Sequence, residues 1–233
     1  MSVTLADLAT IVSTARFDML VGEMESQFLD AKGQPYRFDE GTDGKRAFAK
    51  DVASFANAQG GYILIGFATK ISDVNAGEQI AEVRPIRSQY FNTEQHRKIL
   101  QEWLYPQPLG IEINWIPFGN EPEKGVLALY IPPQNDRSKP FLITKTVTDK
   151  KSTDVIIAYV ERRLDFTEPH SIVEIHQALR NGFNLERELL GRIENIELLI
   201  TQHFSTGQET ESAAQLSSQL RERISRLINE AKG

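Results

Sequence analysis

The chain has 233 residues, 40% hydrophobic and 25% charged, a globular rather than a disordered composition. It has no cysteine, which excludes a disulfide scaffold, a thiolate zinc site and a cysteine nucleophile. The net charge of −6 is unevenly spread: residues 1–44 hold 3 basic against 8 acidic side chains, residues 124–163 hold 8 basic against 4 acidic ones. An acidic chain can still present a basic strip, and it is the strip that attracts a polyanion.

Thr4 is placed to cap a first helix, with Leu5, Leu8, Ile11, Val12, Ala15 and Met19 at helical spacing. Residues 24–32 suit a strand. Residues 43–59 return to helical period through Phe48, Val52, Phe55 and Ala56, and Gly60-Gly61 close that helix. The apolar run Tyr62–Ala68 reads as a buried strand, and residues 69–89, without a period, as a long loop. That run is far below the roughly 20 residues of a membrane span, and the first 20 residues have no signal-peptide core. A soluble, cytoplasmic protein with no membrane partner is expected.

A helix over 93–104 is followed by strands over 110–118 and 125–131, joined by turn residues 119–124 and stopped by Pro132-Pro133. A second strand pair, 141–147 and 155–160, precedes a helix over 168–179 with Thr167 as its cap. Helices mixed with short hairpins argue an α+β fold. From Leu185 the pattern narrows to a seam: Leu185, Leu189, Ile193, Ile196 and Ile200, then Ala213, Leu216, Leu220, Ile224, Leu227 and Ala231. Such a seam suits either a coiled coil that pairs subunits or two helices folded back on their own domain. The organisation expected is an N-terminal helix (1–22), a domain (23–182) and C-terminal helices (183–233).

Three features bear on chemistry. Strand alternation puts Asp30 and Lys32 on one face, an arrangement that holds a divalent metal beside a scissile phosphate or forms an exposed ion pair. Asn57, Gly60, Gly61 and Gly66 punctuate a helix-to-strand corner; no Gly-Lys-Ser/Thr opens a helix, so this is not a phosphate loop. Lys139, Lys145, Lys150, Lys151, Arg162 and Arg163, interleaved with Phe141 and Tyr159, suit either a nucleic-acid backbone or a lysine-protected sheet edge. The histidines are scattered, and no Gly-x-Ser-x-Gly elbow is present.

The order of these strings resembles the Schlafen AlbA-like domain. The resemblance runs from Glu25-Ser26 and Leu29-Asp30-Ala31-Lys32, through Ser54-Phe-Ala-Asn57-Ala-Gln-Gly60-Gly61-Tyr-Ile-Leu-Ile-Gly66-Phe67, to Lys139-Pro140 and Tyr159-Val160-Glu161-Arg162. It covers about residues 20–180 and implies a nucleic-acid-binding module with DNA or RNA as partner, in bacterial regulation or phage defence. Some Schlafens cut RNA with three acidic residues. The resemblance would make Glu25 and Asp30 ligands for Mg²⁺ or Mn²⁺ and put Lys32 near the scissile phosphate, in an endoribonuclease. The third acidic position is taken by Ala68 and Thr69, with Asp73 further on. A protein-interaction scaffold whose C-terminal helices recruit a partner is the third reading.

Overall fold

Helix α1 (Leu5–Ser13) begins where Thr4 and Asp7 exchange hydrogen bonds: the Thr4 hydroxyl accepts from the Asp7 N–H, and the Asp7 carboxylate accepts from the Thr4 N–H. It stops sooner than its apolar spacing predicts. Phe17–Leu20 is a separate 3₁₀ turn that buries Phe17 and Leu20 and leaves Met19 49% exposed. The computed structural model describes residues 3–39, 42–72, 77–119, 121, 123–148 and 153–180, with single positions 191, 195, 198 and 222. The chain divides into two compact units, 1–175 and 176–233.

The first unit is α+β. Strand β1 (Leu29–Lys32), helix α2 (Asp43–Asn57) and strand β2 (Gly61–Ile65) form a β-α-β crossover, with β1 parallel to β2 and Asp30 opposite Ile63. Strand β1 fills only the second half of the predicted 24–32 stretch; Met24 and Ser26 make isolated bridges. The run 62–68 is broken at Gly66, whose φ of 121° turns the chain out of the sheet. Beyond it β3 (Phe67–Ile71) pairs antiparallel with β4 (Glu78–Val83), and β5 (Ile86–Arg87) follows. The described residues between 69 and 89 are therefore largely strand rather than loop. Their alternation is faint because this hairpin lies at the surface: Phe67 and Ile80 are buried, while Ile71 is 80% exposed.

Helix α3 (Thr93–Trp103), capped by the Asn92 side chain, leads through β6 (Leu104–Tyr105) to the hairpin β7 (Glu112–Pro117) and β8 (Lys124–Ile131). Strand β8 also pairs with β2 and β5, completing the central sheet. Strands β9 (Leu142–Thr148), β10 (Thr153–Arg163) and β11 (Phe166–Pro169), with β6, make a second sheet in the order β11-β10-β9-β6. Thr167 lies in β11 and caps nothing. A helix starts at residue 172, and Ser171 caps it by exchanging hydrogen bonds with Glu174.

The central sheet separates two cores. On one face Ile63, Ile65, Leu127 and Leu129 pack with Phe48, Val52 and Phe55 of α2, with Ile99 and Trp103 of α3, and with Phe141, Ile143 and Val160 of the second sheet. On the other, Leu29, Leu64, Val126 and Ala128 pack with Leu8, Ile11, Phe17 and Leu20. The α2 face therefore lies between two sheets. No helix among the described residues is long and apolar enough to cross a membrane. The seam from Leu185 to Ala231 lies outside the described residues.

Candidate functional site

The alternation of β1 sends Leu29 and Ala31 into one core and Asp30 and Lys32 towards α2. Arg162 arrives on the same face from β10. Its guanidinium is 3.2 Å from Asp30 Oδ1 and 3.7 Å from Glu25 Oε2, and donates to the Leu29 carbonyl at 3.0 Å and the Ser26 carbonyl at 3.3 Å. The Phe55 ring lies 5.0 Å beneath it. Lys32 Nζ stands 2.8 Å from Asp30 Oδ2, an ion pair outside hydrogen-bond geometry, and 3.0 Å from Asp51 Oδ2. The Tyr36 hydroxyl donates to the same Asp51 oxygen at 2.7 Å. Glu25, Arg162, Asp30, Lys32, Asp51 and Tyr36 thus form one chain of polar contacts.

Burial sets its electrostatics. Glu25 is pushed up to about 7 by desolvation first and by the neighbouring Asp30 second, against the Ala31 N–H that its Oε1 accepts at 2.9 Å and the charge of Arg162. For Lys32, desolvation works to lower the ammonium's pKa, but Asp30 and Asp51 together outweigh it and hold the group well above its ordinary value. Tyr36 is raised well above its own value, by burial first and Asp51 next. The carboxylates therefore meet two cations in a largely buried site, and below about pH 7 a proton on Glu25 reduces the excess negative charge.

This arrangement does not fit a divalent metal. Both Asp30 oxygens face cations, and Glu25 spends one oxygen on a backbone N–H and turns the other to Arg162. An Mg²⁺ or Mn²⁺ ion would have to displace Arg162 or bind within ~4 Å of it, where like charge repels strongly in a low dielectric. Among the described residues no group of three acidic or histidine side chains is placed to hold a metal. Ala68 and Thr69 sit on β3, and Asp73 lies outside the described residues.

The basic strip read from the sequence does not lie on one surface. Arg162 is withdrawn from it: β10 alternation puts Arg162 on the inward face with the buried Val160, and it is 6% exposed. Lys139 donates to the Ala58 carbonyl at 2.8 Å, capping the end of α2, and pairs with Asp136 at 3.0 Å. Lys145 pairs with Glu102 at 3.2 Å and Arg163 with Glu168 at 2.8 Å. Lys150 and Lys151 lie outside the described residues. Cations on α2 and α3 are differently placed. Arg46, Lys50, Arg97 and Lys98 are exposed, and among the described residues none has a carboxylate at ion-pair distance. Their helices pack through the Phe48 and His96 rings, 5.2 Å apart.

The Asn57 corner is structural, and more so than a cap. The Asn57 amide donates to the Phe141 carbonyl at 2.9 Å and the Val160 carbonyl at 2.7 Å, and accepts the Phe141 N–H at 2.7 Å. It tethers the end of α2 to the second sheet. Gly60 has φ of 75°, and a Cβ there would meet the Ile131 carbonyl at 2.5 Å. Gly61 opens β2, and Gly66 hands its N–H to the Lys32 carbonyl at 2.8 Å.

Asp51 and Tyr36 were missed in the sequence because each is ordinary in its own segment. The inward position of Arg162 had a signal: it follows Ala158 and Val160 at strand spacing.

The sequence model of a family described as Schlafen, AlbA_2 matches residues 25–169. No curated protein matches the chain. Among solved structures, the N-terminal domain of a DNA helicase RecG-related protein from Nitrosomonas europaea is similar at 19% identity and a TM-score of 0.34, over 68% of this chain and 90% of that one.

Proposed function

Because the chain belongs to the Schlafen AlbA_2 family, we propose that it is a nucleic-acid-binding module that holds its ligand without cutting it. The observation that carries this reading is the state of Asp30: it is 7% exposed and engaged by both Arg162 and Lys32. A carboxylate so held is needed to pair its buried cations and is poorly available to a catalytic metal. Removing the acidic pair from metal chemistry leaves binding as the activity to explain. Support for a phosphate-backbone contact comes from the exposed cations Arg46 and Lys50 on α2 and Arg97 and Lys98 on α3, which have no carboxylate partner among the described residues. Asp43 and Glu94, on the same helices, occupy first helical turns, where the helix dipole favours a negative charge. The C-terminal seam is assigned to pairing two such modules, which raises avidity; light scattering on the full chain reads its mass.

The test is titration of labelled single- and double-stranded oligonucleotides at low and physiological salt. Binding that weakens steeply with salt is expected; no binding at low salt, or binding indifferent to salt, removes the proposal. Incubation with tRNA and Mn²⁺ is the second arm. Intact RNA is expected, and cleavage abolished by Asp30→Ala would restore the ribonuclease reading.

A further inference from the structure

The face of the central sheet turned away from α2 carries a second site. Register aligns Glu112, Tyr130 and Tyr62 in one row across β7, β8 and β2, and Asn114, Ala128 and Leu64 in the next. Helix α1 covers part of this face, burying Leu8 and Ile11, and beside them turns Ala9, Val12 and Ser13 towards a cleft that Ala128 also lines. Small residues on both sides leave a cleft of about 330 Å³ between helix and sheet. That is the lower end of the range for small-molecule sites, room for one heterocycle rather than an extended ligand.

Its walls are chemically distinct. On one side the Tyr62 and Tyr130 rings stack with centroids 4.9 Å apart and planes 30° from parallel. On another, Glu112 and Asn114 project two residues apart from the same face of β7, both exposed. Among the described residues neither side chain has a hydrogen-bond partner, and Glu112 has no cation. Burial first, then Tyr130 and Glu112, holds the Tyr62 hydroxyl above its ordinary pKa, so it remains a neutral donor.

The half-buried Tyr130 ring, covered on one face by the buried Tyr62, offers an aromatic surface that selects a π-system. A free carboxylate beside it selects adjacent N–H donors and repels phosphate, so a nucleotide would enter base first with its phosphate outside. Guanine alone among the common bases offers two neighbouring donors, N1–H and the 2-amino group, to one carboxylate. Adenine and cytosine set a single amino donor beside an acceptor, and the N3–H of uracil lies between two carbonyls. We propose that the cleft between α1 and the β7–β8–β2 face is a binding site for a guanine base, with Glu112 reading its N–H edge, Tyr130, backed by Tyr62, stacking on the ring and Asn114 meeting a remaining polar edge. The base belongs either to a free guanine nucleotide or to an unpaired guanine in a strand; only the second source rests on the nucleic-acid reading above.

The experiment is calorimetric titration of the full chain with GMP, AMP, UMP and inorganic phosphate, beside single-stranded oligonucleotides with and without guanine. GMP is expected to bind at least about tenfold more tightly than AMP or UMP, the difference a hydrogen bond to a charged group supports, and phosphate alone to give no heat. Glu112→Gln, nearly isosteric and exposed, should erase that preference with an unchanged melting temperature; Tyr130→Leu should weaken every base. Guanine-containing strands that bind more tightly, again through Glu112, identify the strand as the source. GMP binding without oligonucleotide binding identifies the free nucleotide and removes the nucleic-acid proposal instead. The guanine site is overturned by nucleotides that bind equally or not at all, by a preference that survives Glu112→Gln, or by occupation of the cleft by a second copy, seen as concentration-dependent mass lost in that variant.

Discussion

Arg162 and Asp30 illustrate how burial converts two ordinary ionic residues into an obligate pair. Arg162→Met leaves Asp30 and Glu25 without their guanidinium in a site where the Asp30 and Glu25 side chains are 9% and 8% exposed. Breaking a buried pair from one side costs about 3–5 kcal/mol, so urea unfolding of Arg162→Met should show a loss of that size. Adding Asp30→Leu and Glu25→Gln should recover much of it, since neutral side chains no longer require the cation. A full loss that persists in the triple variant would count against the ion-pair account. Glu25 adds a pH dependence. Folded, it holds its proton up to about pH 7; unfolded, it releases it near 4.5. Between those values the native state binds the extra proton, so this contribution is complete below about 4.5 and is lost as pH rises through about 7. Relative to Glu25→Gln, the wild type should lose on the order of 3 kcal/mol across that window; parallel stability profiles would contradict the assignment.

At the scale of elements, α2 is tied down from both ends of its environment. Its apolar face meets the central sheet, and its C-terminus is held by Asn57 and by Lys139 on the Ala58 carbonyl. Asn57→Ala leaves the Phe141 N–H and the Phe141 and Val160 carbonyls without their side-chain partner. A loss of about 3 kcal/mol in chemical denaturation is expected, because unpaired buried polar groups keep their desolvation cost. Asn57→Asp should be no better, since it keeps an acceptor for the N–H but turns a carboxylate towards two carbonyls. Much of this layer is legible in sequence. Thr4 caps α1, Phe48, Val52, Phe55 and Ala56 mark the buried face of α2, and the runs after Gly110 and Gly125 are strands. Where pattern failed, water was the reason: the β3–β4 hairpin has little to bury, so it carries little alternation. The cap at Ser171 was displaced to Thr167 because local chemistry admits both residues and only the extension of β10 into β11 chooses.

For the whole molecule, the placement of cations decides what a polyanion meets. Charge reversal at Arg46, Lys50 and Arg97 should weaken binding to all oligonucleotides alike and flatten the salt dependence, as removal of phosphate contacts does. Reversal at Lys139 and Lys145 should have less effect on affinity, their charges being already paired at 3.0 and 3.2 Å. Equal losses from both sets in fluorescence anisotropy would return the contact to the late strands.

By itself, the order of residues determined the α+β class, the helix-to-strand corner at Asn57–Gly61 and the shared face of Asp30 and Lys32, because each follows from short-range stereochemistry and strand or helix period. What Asp30 does was decided only by folding, which carries Arg162 across 132 positions to within 3.2 Å of it and buries both side chains. The same holds for the cleft beside Glu112: strand register, a property of pairing between distant segments, gathers its walls. Charge and periodicity are local quantities; burial and pairing are not, and a carboxylate becomes structural or reactive according to the neighbours that tertiary contact supplies.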